Sequence, residues 1–312
     1  MLRFFVETLP LARLLEPGVL GRVAAAADGL VLAVRPGEAE LASVAGAVRD
    51  AGLEVALWPM LDDRDGRWCT LANAAAFVAF ARSCVRDAGL RPGEAVLFDL
   101  EPPWQLLDAL AHGRYRQAFR QYPELVPRGT EAVDTAERTL LELVQELRDA
   151  QLSVHTAEFP WALLAPHWAR RFGVPHLPAV SGRGMMLYTS MLEGYSRGLV
   201  RRAAVVRGLG YLGSLGLARL GGAFELQLGA VGTGALANEP VYRDVGELEH
   251  DLAIAVRIGC RRVAVFDLGG ILRRPDADRW LSTCTSARTL LWDRGRLEGA
   301  AQEPPCASFH RF

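Results

Sequence analysis

Two carboxylic acids stand one residue apart in the segment Phe98-Asp99-Leu100-Glu101-Pro102. In an extended chain, side chains two apart project to the same side, so Asp99 and Glu101 share one environment. Two like charges held together away from water do not both ionise. One carboxyl keeps its proton toward neutral pH, which is the state a general acid needs. A wider set of polar and aromatic residues lies at or just past the ends of apolar runs: Glu7, Arg35, Trp58, Asp62, Trp104, Glu158, Tyr188, Gln227 and Asp267. Carboxylates and amides bond sugar hydroxyls, and Trp and Tyr rings cover a sugar's apolar face, so this set suits a carbohydrate. An Asp-x-Glu also arises where the Asp anchors backbone at a strand end and the Glu caps a loop. The pattern alone leaves both readings open.

Such residues need a scaffold to bring them together. Eight apolar runs of strand length occur, at about 2–7, 29–35, 54–60, 94–100, 152–158, 184–189, 223–229 and 262–268. Most are uniformly apolar, as strands covered on both faces of a parallel sheet are. Helical periodicity marks 38–51, 71–88, 131–150 and 244–258. The junctions Arg49-Asp50-Ala51-Gly52-Leu53, Arg86-Asp87-Ala88-Gly89-Leu90 and Arg148-Asp149-Ala150-Gln151-Leu152 repeat one unit of helix, tight turn and strand. Gly just past the last turn is a common helix stop. The alternation predicts a single (β/α)8 TIM barrel over residues 1–296, with 297–312 as a loose C-terminal tail. A doubly wound open sheet would usually offer a glycine-rich first turn, and Thr8-Leu9-Pro10 has none. The long Pro- and aromatic-rich connections 102–130 and 159–183 predict enlarged rim loops after strands 4 to 6, on the face where barrel enzymes act. Strand 4 (Ala95–Leu100) and strand 8 (Val263–Leu268) both contain Phe-Asp-Leu, which fits either two half-barrels or coincidence among apolar strands.

Composition removes several function classes. The chain has 312 residues, half of them hydrophobic, so it can bury a large core. Its formal net charge of −1 argues against nucleic acid as the main ligand. All 35 basic residues are arginines. Schiff-base aldolases, pyridoxal-phosphate enzymes and Walker-type nucleotide sites need a lysine amine and are excluded. The five cysteines form no CxxC pair, so reduced thiols and no metal or cofactor are expected. His155 and Glu158 lie three apart on one run and point to opposite faces, with His155 expected between sheet and helix. The start MLRFFVETLP lacks a charged region followed by a long apolar run, so a cytoplasmic protein is expected. Arg201, Arg202, Arg207 and Arg219 interrupt the apolar stretch 198–224, so no membrane span is expected.

Asp99-Leu100-Glu101 at the end of strand 4 resembles the end of the D-x-x-D-x-D-x-E motif of glycoside hydrolase family 18, the chitinases and endo-β-N-acetylglucosaminidases. Met186-Leu187-Tyr188 resembles that family's M-x-Y-D. The chain departs at the two earlier motif aspartates, replaced by Glu94 and Leu97, at Thr189 after the tyrosine, and at Asp267, where a Trp would stand. The resemblance implies that Glu101 is the general acid. It implies that Asp99 orients a 2-acetamido group as internal nucleophile and that Tyr188 bonds the same group. Without such a group a second carboxylate is needed, from Glu158, Glu7 or Asp267. Two other functions fit the sequence. One is a lysine-independent isomerase or lyase that holds a phosphorylated metabolite with Gly229, Gly232 and Gly234 after strand 7 and Gly269 and Gly270 after strand 8. The other is a non-catalytic sugar-binding barrel. Asn238-Glu239-Pro240 is read as a plain loop or helix start.

Overall fold

The computed structural model describes residues 1–302 except Arg128, Gly198, Ala235 and Ala237. Eight parallel strands close into a barrel in chain order: β1 Leu2–Val6, β2 Gly29–Val34, β3 Glu54–Pro59, β4 Ala95–Leu100, β5 Ser153–Glu158, β6 Gly182–Met186, β7 Phe224–Gly229 and β8 Val263–Phe266. The ring is completed by β1 beside β8, with Leu2 against Val263 and Phe4 against Val265. The helices are α1 Val19–Ala26, α2 Leu41–Asp50, α3 Ala74–Ala88, α4 Trp104–Ala111, α5 Tyr115–Leu125, α6 Thr130–Asp149, α7 Pro160–Leu164, α8 Pro166–Arg171, α9 Thr189–Tyr195, α10 Arg202–Leu220, α11 Val245–Arg257, α12 Leu268–Leu272 and α13 Ala277–Gln302. The enlarged rim holds short helices, α4 and α5 after β4 and α7 and α8 after β5. Helix α13 carries the fold to Gln302, past the expected start of a loose tail, and 303–312 lie outside the described residues.

Alternation along each strand sorts the core into two parts. Phe5, Val31, Ala56, Ala95, Leu97, Ala157, Met186, Ala264 and Phe266 pack inside the barrel. Val96, Phe98, Leu100 and Val154 pack outward with Phe77 of α3 and Leu140 and Leu143 of α6. The junctions work as their repetition implies. Gly52 and Gly89 have φ of +76° and +56°, and Gln151 takes the same left-handed conformation at +60°. That conformation needs no Cβ at glycine and is strained for glutamine. Inside the barrel, Gly184 of β6 faces Gln227 of β7 so closely that a Cβ there would lie 2.0 Å from Gln227 Nε2.

The shared Phe-Asp-Leu does not reflect a half-barrel repeat, because its phase differs between the two strands. Phe98 points to the helix layer and Asp99 inward, whereas Phe266 points into the barrel and Asp267 leaves the sheet to start α12.

Candidate active site

The inward phase of β4 continues past Leu97 to Asp99 and then Glu101, so the acidic pair stands on the inner wall at the C-terminal mouth. Asp99 is 3% exposed. Glu101 is half-buried as a residue, with its carboxyl surrounded by protein. Glu7, one step past β1, faces the same space with its side chain 5% exposed. Burial raises the pKa of Asp99, and the Glu7 charge adds to the rise. Burial raises Glu101 well above the carboxylate range, with Asp99, Glu7 and Glu239 each adding to it. Asp99 and Glu101 therefore titrate as one coupled pair that holds protons toward neutral pH.

Arg67 is the cation of this group. It lies in the loop after β3, at a left-handed φ of +61°. Its Nη2 donates to Glu7 Oε1 at 2.6 Å and its Nη1 to Asp63 Oδ1 at 2.6 Å. The guanidinium lies 4.9 Å from the Trp104 ring centre and 5.9 Å from that of Trp68. Trp68 Nε1 donates to Pro102 O at 2.7 Å, which ties this loop to the residue after Glu101. Asn73 fixes the loop's far end by donating to Trp68 O at 2.8 Å and to Asp65 O at 3.0 Å. Arg35 sits farther out, 41% exposed and 3.5 Å from Glu7 Oε1.

Aromatic rings fill the rest of the inner wall. Tyr188 stacks on Phe266 with ring centres 5.6 Å apart, and Trp58 meets Phe5 edge-on at 5.4 Å. Burial raises the Tyr188 pKa, as do Asp99, Glu101, Glu7 and Glu239, so its hydroxyl stays a neutral donor. The loop after β7 completes the mouth. A Cβ on its Gly234 would lie 2.8 Å from the Phe266 ring and 3.1 Å from Glu7 Oε2, so only glycine lets the loop pass. Glu239 in that loop accepts from the Gly234 and Leu236 amides. Burial raises its pKa, and Glu7 adds to the effect.

Two buried polar atoms in this group have no partner. Trp58 lies close enough to Asp99 to lower its pKa, yet Trp58 Nε1 and Asp99 Oδ1 each lack a hydrogen bond of proper geometry. A donor and an acceptor so placed are groups that a sugar hydroxyl could bridge.

The mouth therefore gathers Glu7, Arg35, Trp58, Asp99, Glu101, Trp104 and Tyr188, with Arg67, which the sequence does not flag, and Glu239, which the sequence presents as part of a plain loop. Four other expected residues do other work. Glu158 points to the helix layer, where Arg183 Nε and Nη2 bond it at 2.8 and 2.7 Å and Thr156 Oγ1 at 2.6 Å. Asp267 caps α12 through Gly270 N at 2.8 Å and holds Thr8 N and Oγ1 at 2.9 and 2.7 Å, fully buried. Gln227 lies within the barrel core, fully buried, and bonds Glu225 Oε1 at 3.2 Å. Asp62 is 47% exposed and flanks the turn at Asp63–Asp65. His155 points into the barrel rather than between sheet and helix, with Arg3 Nη2 3.2 Å from its Nδ1.

The glycines after β7 and β8 do not form an open phosphate cradle. Gly232 and Gly270 pack on each other, so that a Cβ on Gly270 would lie 2.3 Å from Gly232 N. The neighbouring arginines are engaged as well, Arg273 with Thr8 at 2.7 and 2.9 Å and Arg274 with Tyr242 O at 2.6 Å. Among the described residues, no group of three or more His, Cys, Asp and Glu is placed to hold a metal ion. No described helix is long and apolar enough to cross a membrane.

No protein-family model matches the chain, and a search of curated proteins finds no relative. Solved structures do match. The glycoside hydrolase domain of PgaB (BpsB) from Bordetella bronchiseptica aligns with a TM-score of 0.53 at 14% identity, over 88% of this chain and 92% of that one. A chitinase from Rhizomucor miehei aligns with 0.52 at 13%, over 92% and 99%. An L-ribulose 3-epimerase aligns with 0.50 at 11%, over 97% and 99%. At these identities the likeness shows the shared barrel fold.

Proposed function

We propose that the protein hydrolyses a glycosidic bond, with Glu101 as the general acid. The observation that carries this reading is the state of Glu101: burial and three nearby carboxyls favour its protonated form. A carboxyl of this kind protonates a leaving glycosidic oxygen near neutral pH. Asp99, whose own carboxyl burial pushes up to about 8, stands beside Glu101 and opposes its ionisation when charged. Glu7, paired with Arg67, is the second carboxylate of the mouth. It serves as nucleophile or base where the sugar has no 2-acetamido group. Where that group is present, Asp99 and the neutral Tyr188 hydroxyl orient it, as the motif resemblance implies. Trp104 and Tyr188 supply ring faces for the sugar, and the unpaired Trp58 N–H and Asp99 Oδ1 supply hydrogen bonds. That a glycoside hydrolase domain and a chitinase share the fold supports this choice of substrate class. The filled loops after β7 and β8 weigh against the phosphometabolite reading.

The test is release of reducing ends from a panel of oligosaccharides by the wild type and by Glu101→Gln. Loss of a general acid lowers a rate by about 100- to 10,000-fold. Full activity in the variant would end the assignment. Sugar binding without cleavage by the wild type would leave a sugar-binding barrel.

A further inference from the structure

A second polar cluster lies at the opposite, N-terminal end of the barrel. Arg3 of β1, His155 of β5 and Glu225 of β7 point inward there, and Arg262 enters from the turn before β8. Arg3 is 2% exposed and ion-pairs with Glu225. Arg3 Nη2 lies 3.2 Å from His155 Nδ1, and Arg262 Nη2 lies 3.3 Å from His155 Nε2. Burial first, and then the two guanidiniums, lower the His155 pKa to about 3, so the ring is neutral. A neutral imidazole has one lone pair and one N–H. It accepts from one arginine and turns its N–H toward the other. Arg3 Nε is buried with no partner at all.

Glu225 is the one carboxylate that pairs with Arg3 or Arg262 among the described residues. Two arginines face one buried glutamate here, and the nearby Glu54 carboxylate, exposed to solvent, offsets only part of their charge, so a partial positive charge and spare N–H groups remain. Beside them opens a cavity of about 130 Å3, whose wall carries Arg3, Ser153, His155 and Arg262 together with Glu54 and Glu94. The Glu94 charge is already answered by Arg49 Nε and Nη2 at 2.5 and 2.9 Å. Glu54 is exposed.

We infer that this cavity binds a small inorganic oxyanion, phosphate or sulfate. Its oxygens accept from Arg3 Nε, Arg262 and Ser153 Oγ, and its charge cancels the surplus that water cannot. The site joins residues of β1, β3, β4 and β5 and Arg262 just before β8, so an occupant staples the barrel's base and stabilises the fold by mass action.

The experiment titrates inorganic phosphate and sulfate into the full chain by isothermal calorimetry, with thermal melts at ionic strength held constant by NaCl. One saturable site is expected, with Tm rising as phosphate rises. Arg262→Gln weakens binding at least about tenfold, the loss of one charged hydrogen bond. Glu54→Gln removes a like charge from the cavity wall and tightens binding several-fold. The inference is overturned by an absence of saturable heat, by a Tm rise that NaCl reproduces, or by unchanged affinity in both variants.

Discussion

Glu101→Gln should make the protein more stable in alkali while removing its proposed chemistry. The unfolded chain releases the Glu101 proton near the ordinary value of 4.5, and the folded chain holds it to a higher pH. Between those values the folded state binds the extra proton, so stability falls as pH rises through the window. Each unit of elevation is worth about 1.4 kcal/mol. Glutamine keeps the shape, donates to Asp99 and has no charge to bury. At pH 5, only about half a unit above the unfolded value, most of the linkage is still to come, and the variant should lead by less than about 1 kcal/mol. At pH 9 the variant should be more stable by at least about 1.4 kcal/mol, a Tm gain of about 2 °C or more. Thermal melts of both proteins from pH 5 to pH 9 measure this directly. A variant no more stable than wild type at pH 9 would refute the claim that Glu101 carries a burial penalty when charged.

Four further outcomes follow from the packing, each read by urea denaturation. Arg67→Met should destabilise by about 3–5 kcal/mol by leaving Glu7 buried without its 2.6 Å partner, whereas Arg35→Met, 41% exposed, should change stability by less than about 1 kcal/mol. Gly184→Ala should lose more than about 2 kcal/mol, because its Cβ would meet Gln227 Nε2 at 2.0 Å and the Thr156 carbonyl at 2.8 Å. Gln151→Gly should gain about 1 kcal/mol by relieving the left-handed φ of +60°.

The strands and the main helices were legible because uniform apolar runs and i, i+3, i+4 stripes record burial, which is what a closed parallel barrel imposes on its sequence. The acidic pair was legible for a similar reason: alternation carries the inward phase of Leu97 to Asp99 and Glu101. What could not be read was phase at the other strand ends. Glu158 follows Thr156 onto the outer face, and Asp267 turns out of the sheet to cap a helix, although each ends an apolar run as Asp99 does. Arg67 was hidden because it sits in an irregular loop and reaches the mouth only through a left-handed turn. Glu239 left one trace, a carboxylate in the loop after strand 7 of a barrel whose active face is built from such loops. His155 went astray because a buried ring between two arginines has no apolar signature.

The most direct test of the central claim needs no substrate. Infrared difference spectroscopy between wild type and Glu101→Gln at pH 7 reports whether a carboxyl is protonated. The account predicts a protonated-carboxyl carbonyl band that is stronger in the wild type than in the variant at pH 7, the difference being the Glu101 carboxyl and vanishing at high pH as its proton leaves. A wild type without that band at pH 7, or a variant that retains it unchanged, would contradict the account.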